Sequence, residues 1–173
     1  MIEGNERRTK IEEMLSSNSS PISGTKLAQI LGVSRQVIVQ DIALLRAKNK
    51  DILSTNKGYI LYDSHEEENF CSAIICVRHS KEETFDELKT IVELGGRVKD
   101  VFVDHDFYGQ IHTDLIINDL SDVEDFVKTM NDSKSQPLKV LTGDIHYHTI
   151  LAPTQKVLSL IRKELQEKSF LVE

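Results

Sequence analysis

The stretch SGTKLAQILGVSRQVIVQDIALLR, residues 23–46, decides how the first third of the chain folds. Leu27, Ile30 and Leu31 recur at helical spacing, and Gly32 ends that helix where a left-handed backbone is tolerated. Only Gly32 and Val33 separate it from a further helix, which Ser34 caps and which sets Ile38, Ile42 and Leu45 on one face. Gln36, Gln40, Ala43 and Ala47 stand on the opposite face, uncharged and amide-bearing. Two helices joined by so tight a turn, the second opening on Ser, Arg and Gln, match the geometry that sets a recognition helix into the major groove of DNA.

The flanks extend this reading. Upstream, Ile11, Met14 and Leu15 form the apolar side of a helix from Asn5 to about Ser17, closed by a Ser-rich stretch ending at Pro21. Downstream, Asp51–Thr55 and Tyr59–Tyr62 are short apolar segments separated by Asn56, Lys57 and Gly58, which predicts a hairpin wing. Arg46, Lys48 and Lys50 end the third helix as candidate phosphate partners. A helical hairpin serving only as scaffold would show the two helices but not the basic helix end, the wing and a local positive charge together. Residues 1–62 carry nine Lys or Arg against six Asp or Glu, a net of +3, and residues 63–173 carry twelve against twenty-two, a net of −10. The seam is the polar run 63–69, DSHEEEN, which has no apolar residue to bury. The expected domains are therefore a winged helix-turn-helix at 1–63 and a second module at 70–173.

The 173 residues, 39% hydrophobic and 28% charged, exclude a disordered polyelectrolyte and a collagen-like repeat. No apolar run reaches membrane-spanning length, and the opening MIEGNERRTK lacks a secretory apolar core, so a cytoplasmic protein without membrane partners is expected. Cys71 and Cys76, five apart in one apolar stretch, form neither a C-x-x-C pair nor a disulfide framework and read as buried free thiols.

The second module alternates. Phe70–Val77 is nearly continuous in apolar residues, as expected of a strand covered on both faces. Lys81–Leu94 reads as a helix with Phe85, Leu88, Ile91 and Val92 inward, ended by Gly95 and Gly96. Val98–Val103 and Gln110–Ile117 are strands, and Ser121 caps a helix through Met130. Strands at Leu138–Leu141 and Ile145–Leu151 and a helix from Thr154 to Gln166 complete the order β-α-β-β-α-β-β-α. The fold class is α+β: a winged helix-turn-helix followed by a sandwich with helices on one sheet face.

Histidines carry the chemistry of this module. His146 and His148 stand at i and i+2 on a strand, so one ion could be reached by both. His79 closes the first strand, and Glu82, Glu83 and Glu87 follow on the next helix, a half-site suited to Zn, Ni or Mn. The competing reading of His146 and His148 is an exposed polar strand face. His105 and Tyr108 precede Gly109 at a bend where a loop could present them to a small ligand, with a turn-stabilising hydrogen bond as the alternative for His105.

The helix-turn-helix stretch resembles that of the biotin-repressor and sugar-responsive repressor type. The resemblance implies that Ser34, Arg35, Gln36 and Gln40 contact DNA at the start of the recognition helix, and that Lys57 in the wing approaches the backbone or minor groove. VRH at 77–79, VDHDFYGQI at 103–111 and GDIHYHTI at 143–150 are similar to the three-histidine (3H) domain. That domain is found behind such a helix-turn-helix in niacin-responsive repressors of NAD biosynthesis. This resemblance implies a divalent transition metal (Ni, Zn or Mn) held by His79, Glu87, His146 and His148, nicotinic acid as co-repressor, and a double-stranded DNA operator. A homodimer follows from the DNA-binding logic, because a single recognition helix reads too few bases. Two rivals share these residues: a repressor that responds to metal alone, and a metal-dependent enzyme acting on a nicotinate derivative through Asp104, Asp106 or Glu83. No hydrolase signature accompanies them, so the chain is expected not to be an enzyme.

Overall fold

Ser23 and Ser34 set the two helix starts that matter for the first unit. The Ser23 hydroxyl accepts from the Lys26 amide at 3.1 Å and the Ser34 hydroxyl from the Val37 amide at 3.4 Å. The computed structural model describes residues 3–48 and 50–172 and divides into two units, Met1–Ser64 and His65–Glu173. The first unit holds α1 (Gly4–Ser16), α2 (Gly24–Leu31), α3 (Arg35–Ala47) and a hairpin of β1 (Ile52–Thr55) and β2 (Gly58–Leu61). Gly32 ends α2 at φ 65°. Ile11, Leu15, Leu27, Leu31, Ile38, Ile42 and Leu45 form the core between the three helices. Ile30, expected on the inner face, is 54% exposed. The inward stripe is Gly24, Leu27, Ala28 and Leu31, at i, i+3, i+4 and i+7, and Ile30 falls off it.

The wing closes one residue earlier than expected. Gly58 joins the ladder opposite Thr55, leaving Asn56 and Lys57 as the turn. Ile22 adds a third chain to this hairpin, exchanging backbone hydrogen bonds with Tyr59 at 2.8 and 2.9 Å.

The second unit runs β3 (Cys71–Arg78), α4 (Thr84–Glu93), β4 (Arg97–His105), β5 (Gly109–Ile117), α5 (Leu120–Asp132), β6 (Ile145–Ala152) and α6 (Gln155–Glu167). Its strands form one antiparallel sheet in the order β3-β6-β4-β5. Ile75 and Val77 of β3, Val98 of β4 and Ile150 and Ala152 of β6 bury with Leu88, Ile91, Leu158 and Ile161 of the helices. The α+β class of the sequence reading holds.

Several elements within it differ from expectation. β3 is an edge strand buried on one face only: Ile75 and Val77 are inside, while Ile74 is 57% exposed. Cys71 and Cys76 are accordingly half-buried free thiols, not fully buried ones. The segment expected as a strand at Leu138–Leu141 is a 3-10 turn, Leu138–Thr142, which leaves four strands in the sheet. Pro137 before it has no amide to donate, Gly143 after it sits at φ 62°, and Lys139 turns inside while Val140 and Leu141 face out. The cap of α5 is Asp119, whose carboxylate accepts from the Asp122 amide at 2.9 Å, and not Ser121.

Candidate metal centre and nucleic-acid interface

His146 and His148 occupy the helix-covered face of β6, opposite Val77 and Ile75 of β3, and both are buried. This overturns the alternative of an exposed polar strand face. His79, immediately after β3, and Glu87, in the first turn of α4, complete a group in which every member is at most 5% exposed. Ligand-type atoms of His79, Glu87 and His146 lie within 4.8 Å of one another. His148 joins through Glu87, its Nε2 standing 3.3 Å from Oε1, while His79 Nε2 stands 2.9 Å from Oε2.

Backbone carbonyls orient all three rings. His79 Nδ1 lies 2.8 Å from the Ser80 carbonyl, His146 Nδ1 2.8 Å from that of Asp144, and His148 Nδ1 2.7 Å from that of Asp100. These contacts turn each Nδ1 to a carbonyl and each Nε2 to the group's centre, and Lys139 Nζ also stands 3.1 Å from His79 Nδ1. His79 Nε2 and both Glu87 oxygens are buried and complete no hydrogen bond. A set of three inward imidazole Nε2 atoms around one buried carboxylate, with His79 Nε2 and both carboxylate oxygens completing no hydrogen bond, fits a late first-row divalent ion.

The charges within the group are strongly perturbed. Burial works against ionisation of Glu87, but the adjacent His148 and His79 outweigh it and hold the carboxyl well below the usual carboxylate range. Burial likewise opposes protonation of His148, and Glu87 overcomes it, raising the imidazole above its ordinary value. His146 is pushed down to about 3 by burial and by His148 beside it. One imidazole is therefore poised to carry a proton when nothing else neutralises Glu87, and its neighbour to remain neutral.

Two further residues hold this arrangement, and the sequence reading missed both. The β4 ladder shifts register on both sides between Val98 and Phe102, and this irregularity brings the Asp100 carbonyl to His148. The buried Asp100 carboxylate accepts from the Thr149 amide at 2.9 Å and faces His112 Nε2 at 3.1 Å. Lys139, buried in the 3-10 turn, donates to the carbonyls of His79 at 2.6 Å and Ser80 at 2.7 Å. Burial lowers its ammonium below the ordinary lysine value. Neither role has a sequence signal, since a bulge and an inward lysine each depend on tertiary neighbours.

His105 and Tyr108 lie on the β4–β5 hairpin. His105 Nδ1 accepts from the amides of Phe107 and Tyr108 at 3.2 Å each, the turn-stabilising bond weighed as an alternative, and Tyr108 is 72% exposed. His105 also borders an open groove of about 510 Å³ with Asp104, Asp106, Thr142 and Tyr147. Neither residue is among those that surround Glu87.

In the first unit, Arg35, Gln36 and Gln40 lie exposed on α3, and Ser34 is occupied as its cap. Arg46 is committed to the wing: its guanidinium donates to the Ile52 carbonyl and to the Ser54 hydroxyl, both at 2.7 Å. Lys57 occupies the tip of that wing, half-buried, with its amide donating to the Thr55 hydroxyl at 3.1 Å. Lys50 pairs with Glu12 of α1. Asp41, a buried acid on α3 that the sequence reading passed over, is held by Arg7 at 2.5 Å and Arg8 at 3.1 Å. Its position with Ile38, Ile42 and Leu45 at helical spacing was the available signal. No helix among the described residues is long and apolar enough to cross a membrane.

Comparison with known proteins gives concordant matches. Residues 72–173 match the 3H domain family and residues 7–60 an HTH domain family. The chain is 40% identical over 168 residues to the probable transcription repressor NiaR of Thermotoga maritima, covering 97% of this chain and 94% of that one. It is 36% identical over 171 residues to the transcription repressor NadR of Bacillus subtilis, covering 98% and 95% respectively.

Proposed function

The chain belongs to the family of transcription repressors that join a helix-turn-helix to a 3H domain, and from that premise we propose what its second module senses. It is a DNA-binding regulator rather than an enzyme. In our reading it represses genes of NAD biosynthesis or niacin uptake, binds a double-stranded operator as a homodimer, and takes nicotinic acid as co-repressor. His79, Glu87, His146 and His148 would hold a divalent transition metal, with nickel, zinc and manganese the candidate ions.

The observation that carries the metal part is the set of three buried imidazoles whose Nδ1 atoms all face backbone carbonyls, which turns their Nε2 atoms in around Glu87. The ion would fix the end of β3, α4 and β6 relative to one another, since His79 directly follows β3 and the other three residues lie on α4 and β6. His79, His146 and His148 then act as neutral donors, and Glu87 supplies the charge. Nicotinic acid would bind best to the conformation in which two recognition helices stand about 34 to 36 Å apart, one turn of DNA. A preference of about 100-fold for that conformation strengthens operator binding by roughly 2.7 kcal/mol.

The burial of all four residues favours a second reading, in which the ion alone sets the conformation and no effector is required. One experiment separates the two: fluorescence anisotropy on the DNA upstream of the neighbouring genes, with and without nicotinic acid, in metal-loaded and chelated protein. Nicotinate-dependent affinity that disappears on chelation supports the co-repressor reading, and affinity that tracks metal alone supports the metal sensor. Arg35→Ala at fixed salt tests the interface, and unchanged operator affinity would count against the placement of α3.

A further inference from the structure

The exposed side of α3 beyond its first residue consists of Gln36, Gln40, Ala43, Leu44, Arg46 and Ala47. Arg46 is withdrawn from it, spent on the Ile52 carbonyl and the Ser54 hydroxyl of the wing. The one acid of the helix, Asp41, is buried beneath Arg7 and Arg8. What remains is two amides followed by methyl-bearing side chains, with Leu44 50% exposed. Neither amide has a hydrogen-bond partner among the described residues.

Base edges discriminate sharply among such side chains. Guanine presents two acceptors in the major groove and is read by paired donors such as Arg or Lys, and cytosine presents a donor read by an acid. Adenine presents one donor and one acceptor side by side, which a carboxamide matches with both of its own atoms. The thymine C5 methyl is the only apolar feature of the groove, and Ala or Leu is its natural contact. Gln36 and Gln40 are one helical turn apart, about 6 Å along the axis, which is less than two base-pair steps.

We infer that the operator half-site read by α3 is built of A·T pairs, with adenines opposite Gln36 and Gln40 and thymine methyls against Ala43 and Leu44. The inference rests on α3 being the recognition helix, as the proposed function has it. The uncharged stripe sets base preference, and Arg35 and the wing supply position and affinity.

The test is selection of bound duplexes from a random library with the full-length protein, in the presence of zinc and nicotinic acid and in the presence of neither. Enriched half-sites should carry adjacent A·T pairs at their centre. Replacing thymine by deoxyuridine there, which removes only the methyl, should weaken binding by about three- to tenfold. Gln40→Arg should move the preference at its pair from adenine to guanine while the other positions keep theirs. Enrichment of G·C pairs at the centre, silence of the deoxyuridine substitution, or an unmoved profile for Gln40→Arg overturns the inference and leaves the DNA-binding reading standing. A library from which nothing is enriched in either state overturns both.

Discussion

His148 Nδ1 stands 2.7 Å from the carbonyl oxygen of Asp100, a residue 48 positions earlier on the neighbouring strand. The Asp100 carboxylate fixes the same strand by accepting from the Thr149 amide, so the residue grips β6 on both sides of the His148 peptide. Asp100→Ala removes that side-chain hold and lets the register irregularity relax, which frees the ring. Metal affinity, measured by competition with a chromophoric chelator, should fall by about 10- to 100-fold, as for other residues that orient ligating histidines. Asp100→Asn keeps an acceptor for Thr149 and should retain most of the affinity. Equal affinities for wild type and Asp100→Ala would show that the backbone holds His148 without the carboxylate.

Removing two of the proposed ligands tests the site more bluntly. His146→Ala combined with His148→Ala leaves His79 and Glu87, too few donors to keep a late first-row ion through dialysis. Metal content by elemental analysis should drop to background, and content near that of the wild type would refute the assignment. Far-ultraviolet circular dichroism of the metal-free variant separates loss of ligands from loss of the fold.

The same group predicts how metal stabilisation depends on pH. His148 is raised, so without metal its pairing with Glu87 adds stability that is complete below the ordinary histidine value and is lost as pH rises through the raised one. Glu87 is depressed, so its contribution is present above the ordinary carboxylate value and is lost only in strong acid. A metal held by His148, as proposed, would have to displace its proton, and each step up in pH would reduce that competition. The difference in Tm between metal-loaded and chelated protein should therefore widen between about pH 6 and about pH 8. A difference that is flat or narrows over this range would mean that His148 is not a ligand.

Much of this architecture was readable from periodicity. The turn at Gly32 and Val33, the three helices before the wing, and the placement of His146 and His148 on one strand face all follow from spacing, because helices and strands present side chains at fixed intervals. Burial on both faces of β3 was misread, since Phe70–Val77 is apolar throughout and composition alone does not distinguish an edge strand from a central one. The Leu138–Leu141 run misled for a related reason. Its apolar residues suggest a strand, yet Pro137 and Gly143 tighten it into a turn that delivers Lys139 to the carbonyls of His79 and Ser80. Asp100 was invisible because its role depends on a carbonyl released by a bulge, and no side-chain pattern encodes that.

Asp41 joins α1 to α3. It accepts from Arg7 and Arg8, whose side chains are only 13% and 17% exposed, while its own is 3% exposed. Asp41→Ala leaves two guanidinium groups without their shared acceptor and should destabilise the first unit by roughly 1–3 kcal/mol. The urea midpoint of that unit should fall while metal binding by the second is unchanged. A midpoint equal to that of the wild type would mean that the two arginines find water as readily as they find Asp41.

The wing depends on the absence of a side chain at Gly58. The residue sits at φ 133°, and a Cβ there would lie 2.3 Å from the Ile22 carbonyl oxygen and 2.6 Å from the Ser23 amide. These are backbone atoms, held in place because Ile22 exchanges two hydrogen bonds with Tyr59, so they cannot withdraw without unlatching the hairpin. Gly32 provides the control, at φ 65° with nothing within 4 Å of an added Cβ. Gly32→Ala incurs only the left-handed backbone cost of about 1–2 kcal/mol. Gly58→Ala adds the clash to a comparable conformational strain, and it should lower the urea midpoint further and also weaken operator affinity, because the wing that carries Lys57 is displaced. If the two variants melt and bind alike, the contact between Ile22 and the hairpin is not what sets the wing's place.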